Sequence, residues 1–260
     1  MASRSIDPFI NRSIDDRFRT AYDDLMTITR GDQGEQRIAK IAGWGGIAFA
    51  ILSGAVLILS PFWPPLGASS AEVVTYYRAH RLPFLIGNYL AILASVPSLA
   101  QLAYLTRLFK RAEGDEGWLW IAVLSAGVIA HAVAAVVLTV YQVIPFALDP
   151  GQEAVAKGLS DLAGVGFALV FLPMLAFVLA TTWATYATGV LPHWYGHLGI
   201  PVSVICLIGS AGSIWAPPLL AGGGLISCVC VGVFVTWCFV LAILMLRGPA
   251  TTTARPAHAH

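Results

Sequence analysis

The chain has 260 residues, 57% of them hydrophobic and only 11% charged, with a formal net charge of +1. Mean hydropathy is +0.75, which excludes an ordinary soluble domain, where about 25% of residues are charged. The near-neutral balance supplies no basic field for a nucleic acid partner.

Six apolar runs are long enough to cross a bilayer, which needs roughly 20 residues at 1.5 Å of rise each. They are 41–60, 85–108, 119–141, 162–185, 198–216 and 225–246. The pattern predicts an all-α fold: a polytopic transmembrane helical bundle of six spans, with amphipathic interfacial helices. Its parts are a cytoplasmic N-terminal segment (1–39), the bundle (40–247) and a flexible cytoplasmic tail (248–260).

Residues 1–30 are polar and carry both charge signs, without the basic start and apolar middle of a signal peptide. Ile14, Phe18, Ala21, Leu25 and Ile28 recur at helical spacing, which predicts an amphipathic helix on the membrane surface or on the protein's own cytoplasmic face. With this end inside, only Arg78, Arg81 and Lys157 of the 15 Lys and Arg residues fall outside. The positive-inside rule therefore predicts a bacterial inner-membrane protein with both termini cytoplasmic.

In the first run, Ala42, Gly46, Ala50 and Gly54 form a small-residue ridge for close helix contact, within the chain or with a second copy. Beyond it, Ser69 and Glu72 fit a capping box, so a short helix over 70–80 is expected at the outer interface, with Tyr76 and Tyr77 in the headgroup layer. The second run carries a polar stripe of Asn88, Ser95, Ser98, Gln101 and Tyr104, which should face the bundle interior. Pro97 in this run and Pro173 in the fourth each free a carbonyl four residues earlier and predict local bends that can open a cavity.

His131 falls near the middle of the third run, and so near the bilayer midplane, with Gly127, Ala134 and Ala135 on the same face. An imidazole at that depth needs a hydrogen-bond partner. Ser98, Gln101, the carbonyl freed by Pro97, Ser210 and Thr236 are the candidates. Three roles stay open for it: an interhelical hydrogen bond, a ligand contact, or an axial haem ligand. Bis-histidine ligation would need a second histidine at matching depth, whereas His80, His193 and His197 sit at the edges.

The loop before the fourth run predicts a helical turn starting near Pro150, with Ser160 and Asp161 capping the span. Between the fourth and fifth runs stands LPHWYGHLG, with His193 and His197 at the spacing of a helical metal pair. Pro192 and Gly196 frame a turn there, and no acidic residue or cysteine nearby completes a tetrahedral set, so no metal is expected. Trp194 and Tyr195 are assigned to an inner aromatic belt with Trp44, Trp118, Trp120 and Trp183. Cys206, Cys228, Cys230 and Cys238 lie in or beside apolar runs and are read as small buried hydrophobes rather than disulfide partners. His258 and His260 belong to the tail.

The order of apolar span, Leu191, Pro192, Trp194, Gly196, Leu198, Gly199 and apolar span resembles the cytoplasmic hairpin of a group of uncharacterised bacterial six-helix multi-pass membrane proteins with an LPxWxGxLG-like turn. The resemblance implies the six-span architecture over 41–246. Where that group often has Arg and Trp, this chain has His193 and His197, which implies interface anchoring.

Within the six runs there is no Asp, Glu or Lys, and Arg107 is the only full positive charge. A carboxylate proton relay or acid–base catalysis in the membrane lacks its groups. No catalytic residue is assigned and no cofactor is expected. The functional expectation is a non-enzymatic membrane protein that binds a lipid or small apolar molecule in a cavity marked by Pro97, Ser98, Gln101, His131 and Pro173, or that serves as a membrane subunit of an assembly. A transporter or channel for a small solute is the alternative, and a haem or redox protein the third. Membrane lipid, a second copy of the chain or a larger membrane complex are the partners this composition allows.

Overall fold

A computed structural model of the chain describes residues 8–59, 63–114, 116–214 and 224–247, with side chains described from Gln33 onward. Seven α-helices follow one another: α1 (Pro8–Leu59), α2 (Ser70–Ala79), α3 (Arg81–Glu113), α4 (Leu119–Val143), α5 (Glu153–Thr188), α6 (His193–Ser210) and α7 (Leu225–Arg247). Single 3-10 turns extend α4 through Ile144–Phe146 and α6 through Ala211–Ser213. Among the described residues there is no strand.

Six helices are long and apolar enough to cross a membrane: Gln33–Leu59, Arg81–Glu113, Leu119–Phe146, Glu153–Thr188, His193–Ser213 and Leu225–Arg247. The fold is the expected all-α bundle with six candidate spans. Each span touches the next, and α7 returns to α1, so the six close a ring: α1, α3, α4, α5, α6, α7. The amphipathic stretch at 14–28 is helical as part of α1, but its side chains and the tail with His258 and His260 lie outside the described residues.

Lipid tails are as apolar as leucine, so helices in a membrane associate through close packing and hydrogen bonds rather than through hydrophobic burial. The ridge on α1 works this way over half its length. A Cβ on Gly45 would stand 2.5 Å from the carbonyl oxygen of Pro97 on α3. One on Gly46 would stand 2.5 Å from Gln101 Nε2 on α3 and 2.7 Å from the Ala242 Cβ on α7. Gly54, higher on the same helix, would meet nothing within 4 Å. The ridge thus joins α1 to two helices of its own chain at one end and leaves room beside it at the other.

At the first of these ends, Glu35 of α1 pairs with Arg107 at 3.0 Å and Arg111 at 2.6 Å on α3. Arg107, the only full positive charge within the six apolar runs, is thus tied to α1.

The helix expected over 70–80 is α2. Ser69 accepts from the Glu72 N–H while the Glu72 carboxylate accepts from the Ser69 N–H at 2.7 Å, a complete capping box. These bonds hold the Glu72 carboxyl below its ordinary value. Because the folded-state value is depressed, the contribution to α2 is present above the usual glutamate range and is lost as pH falls through the lowered value. Replacing Ser69 by alanine is expected to speed amide exchange in the first turn of α2 about five- to tenfold while leaving the spans unaffected, read by hydrogen–deuterium exchange.

Four local expectations are corrected. Tyr77 does not stand in the headgroup layer: it is fully buried, edge-on to Phe84 at 4.8 Å, because α2 lays its Val73, Val74 and Tyr77 face on the bundle. Burial pushes its phenol up from the ordinary tyrosine value. Asp161 is not a cap, since α5 already begins at Glu153; it pairs with Lys157 one turn earlier. α6 starts at His193, five residues before the apolar run does, with extended Pro192 as its N-cap, so both histidines sit on regular helix. Tyr195 is buried and stacks on Trp237 at 5.1 Å, whereas Trp44, Trp118, Trp183 and Trp194 are exposed as a belt requires.

Candidate functional site

Inside the ring lies a cavity of about 210 Å³, walled by α1, α3, α4, α5 and α7. α6 contributes no lining residue. Along α7 the wall runs from Ser227 to Leu241, about 21 Å of helix at 1.5 Å per residue, so the space is narrow for its length.

An aromatic cluster closes the end nearest α2. Trp63 packs 4.3 Å from Tyr141, 4.9 Å from Phe167 and 6.3 Å from Phe84, and Phe167 leans on Phe171 at 5.6 Å. Trp63, Phe84, Phe167 and Phe171 all form cavity wall. Trp63 Nε1 is buried and has no hydrogen-bond partner among the described residues. Between α5 and α7, Phe177 meets Phe234 at 6.4 Å and Trp237 at 5.9 Å. The α1 wall here is Phe49, Ser53, Val56 and Leu57, on the loosely packed half of that helix.

The polar groups of the wall come mainly from the α3 stripe and from α4. Asn88 is buried and donates from Nδ2 to the Leu138 carbonyl and to Gln142 Oε1, both at 2.7 Å, which ties α3 to α4. Gln101 is buried and donates from Nε2 to the Cys238 carbonyl at 2.9 Å, which ties α3 to α7 across Gly46. Ser98 Oγ lies 2.7 Å from His131 Nε2 and 2.8 Å from the Ser95 carbonyl. His131 Nδ1 donates to the carbonyl of Gly127, one turn earlier, at 2.7 Å. Both ring nitrogens are therefore engaged, and the half-buried ring stands on the cavity wall. Among the described residues, none that lines the cavity carries a formal charge.

His131, Ser98 and Gln101 are thus brought to one cavity, but Pro97 and Pro173 are not part of its wall. Both prolines sit inside helices that continue through them, and it is their neighbours Ser98 and Met174 that line the space. Of the partners considered for His131, Ser98 is the one found, while Ser210 and Thr236 bond to carbonyls of their own helices. The aromatic end was not anticipated. Its only sequence signal is the density of Trp and Phe near the ends of three separate runs.

His193 and His197 stay apart from this site. They flank Tyr186 of α5 at ring distances of 5.9 and 5.5 Å, with the Tyr186 hydroxyl 2.8 Å from His197 Nδ1, and both are exposed. Among the described residues no group of three or more His, Cys, Asp or Glu side chains is placed to hold a metal ion.

Comparison with family models, with curated proteins and with solved structures finds no match to this chain.

Proposed function

We propose that this integral membrane protein holds a small apolar molecule, or one chain of a lipid, in the partly open cavity inside its ring of helices. The observation that carries the reading is the cavity itself: about 210 Å³ with an aromatic end, apolar walls and a few hydrogen-bonding groups around His131. Small-molecule sites are concave and mostly apolar, with a small number of placed polar groups that fix orientation. An uncharged wall favours an uncharged occupant, because an ion inside it would lose its hydration without gaining a partner.

We infer a bacterial inner membrane as its location, with both termini cytoplasmic. Arg37, Lys40, Lys110, Arg111 and Arg247 gather at the bundle end away from α2, while Arg78 and Arg81 lie at the α2 end, the bias that positive-inside insertion produces. No catalytic role and no cofactor are assigned. Membrane lipid is the source of the occupant.

Ligand stabilisation tests the reading. A molecule present at a hundredfold excess over its dissociation constant adds about 2.7 kcal/mol to the folded state. Long-chain alkanes and alcohols are therefore expected to raise the thermal midpoint of delipidated protein in detergent by several degrees. A midpoint unmoved by any apolar chain would count against an occupied cavity.

A further inference from the structure

The polar groups of the cavity discriminate among apolar molecules. Building on the binding role proposed above, we infer that the occupant is a neutral chain alcohol, linear or isoprenoid, whose hydroxyl donates to Nε2 of His131.

The inference comes from counting protons. The Gly127 carbonyl can only accept, so in the neutral imidazole Nδ1 carries the hydrogen and Nε2 is left as an acceptor. Ser98 has one hydroxyl proton and two acceptors within reach, His131 Nε2 at 2.7 Å and the Ser95 carbonyl at 2.8 Å. Swinging the Ser98 hydroxyl off the ring and onto the Ser95 carbonyl keeps Ser98 satisfied and frees the single Nε2 lone pair at the cavity wall. A ligand O–H completes the exchange with the Ser98, His131 and ligand protons all paired.

A ketone, an ether or an ester has no proton to offer. It either meets the Nε2 lone pair with its own, or takes the Ser98 proton and leaves Nε2 without a donor, and an unpaired buried polar atom is the costlier outcome. The neighbouring donors do not change this balance at the ring: both Asn88 amide protons are spent within the protein, Gln101 gives one of its two to the Cys238 carbonyl with its nitrogen packed where Gly46 leaves space, and Trp63 packs on Tyr141, ten residues along α4 from His131 or about 15 Å of helix. A wall about 21 Å long around about 210 Å³ suits a single chain better than fused rings. The absence of charge from the lining residues excludes an ionised headgroup there.

The test compares dodecanol, dodecanone and dodecyl methyl ether, titrated calorimetrically into the protein in nanodiscs with empty nanodiscs as blank. The alcohol is expected to bind about tenfold tighter than either acceptor-only chain. His131→Leu is expected to erase that preference while chain binding remains. Ser98→Ala, which removes the resident donor, is expected to tighten the alcohol further. Equal binding of alcohol and ketone by the unmodified protein, or a preference that survives His131→Leu, overturns the donor requirement and leaves the cavity reading standing. Should His131→Leu fail to fold, an alcohol affinity unchanged or weakened by Ser98→Ala overturns it instead. No binding of any chain overturns the cavity reading itself.

Discussion

Replacing Gly45 by alanine is expected to destabilise the bundle by about 1–3 kcal/mol, the usual cost of forcing atoms into a packed interior. The added methyl would stand 2.5 Å from the Pro97 carbonyl oxygen and 3.5 Å from the Ala100 Cβ. A backbone carbonyl inside a helix cannot rotate aside as a side chain can, so α1 must move away from α3. That movement would also strain the Gln101 bond to Cys238, which passes where Gly46 leaves space. Gly54→Ala is the matched control. Nothing lies within 4 Å of its added methyl, and alanine is the better helix former by about 1 kcal/mol. Unfolding in detergent should show a lowered midpoint for the first variant and an unchanged or raised one for the second. Equal effects at the two glycines would refute the one-ended packing of α1.

Ala134→Phe is expected to empty the cavity without unfolding the protein. Ala134 lines the space one helical turn from His131 on the same face of α4, so a phenyl ring there points into volume an occupant would fill. Because the ring enters existing space, the variant should keep near-normal stability when no ligand is present and lose the midpoint increase produced by added chains. Affinity for the chain should fall at least tenfold, which corresponds to about 1.4 kcal/mol. A variant that still responds fully to added chains would place their binding elsewhere.

Much of this architecture was readable from one-dimensional pattern, because the bilayer enforces it. Unsatisfied backbone groups cannot face hydrocarbon, so long apolar runs become spans, and the capping box of Ser69 and Glu72 is a local matter of three residues. The polar stripe of α3 also follows helical geometry, and Asn88, Ser98, Gln101 and Tyr104 are buried as their shared face requires. The partners of that stripe were less accessible. The Ser98 hydroxyl is a side-chain partner that pattern can suggest for His131, but Gln101 bonds to a backbone carbonyl 137 residues away, and every residue has such a carbonyl, so no residue type marks it. Gly127 was noted as a small neighbour of His131, yet its role here is to accept the Nδ1 proton.

Other misreadings have the same source. Tyr77 and Tyr195 carry the side chain of an interface anchor and are nonetheless core residues, because α2 and the start of α6 turn those faces inward. Pro97 and Pro173 do remove backbone donors, but the wall is made by side chains that project into the space, and a proline ring packed inside a continuing helix is not among them.

What the protein carries when it leaves the membrane tests an occupied cavity most directly. Native mass spectrometry of protein purified in a mild detergent should show the polypeptide with one retained molecule of discrete mass, neutral and chain-like on fragmentation. Ala134→Phe, purified in parallel, should show the bare polypeptide. Bare polypeptide from both preparations, or the same retained molecule on both, would contradict an occupied cavity at His131.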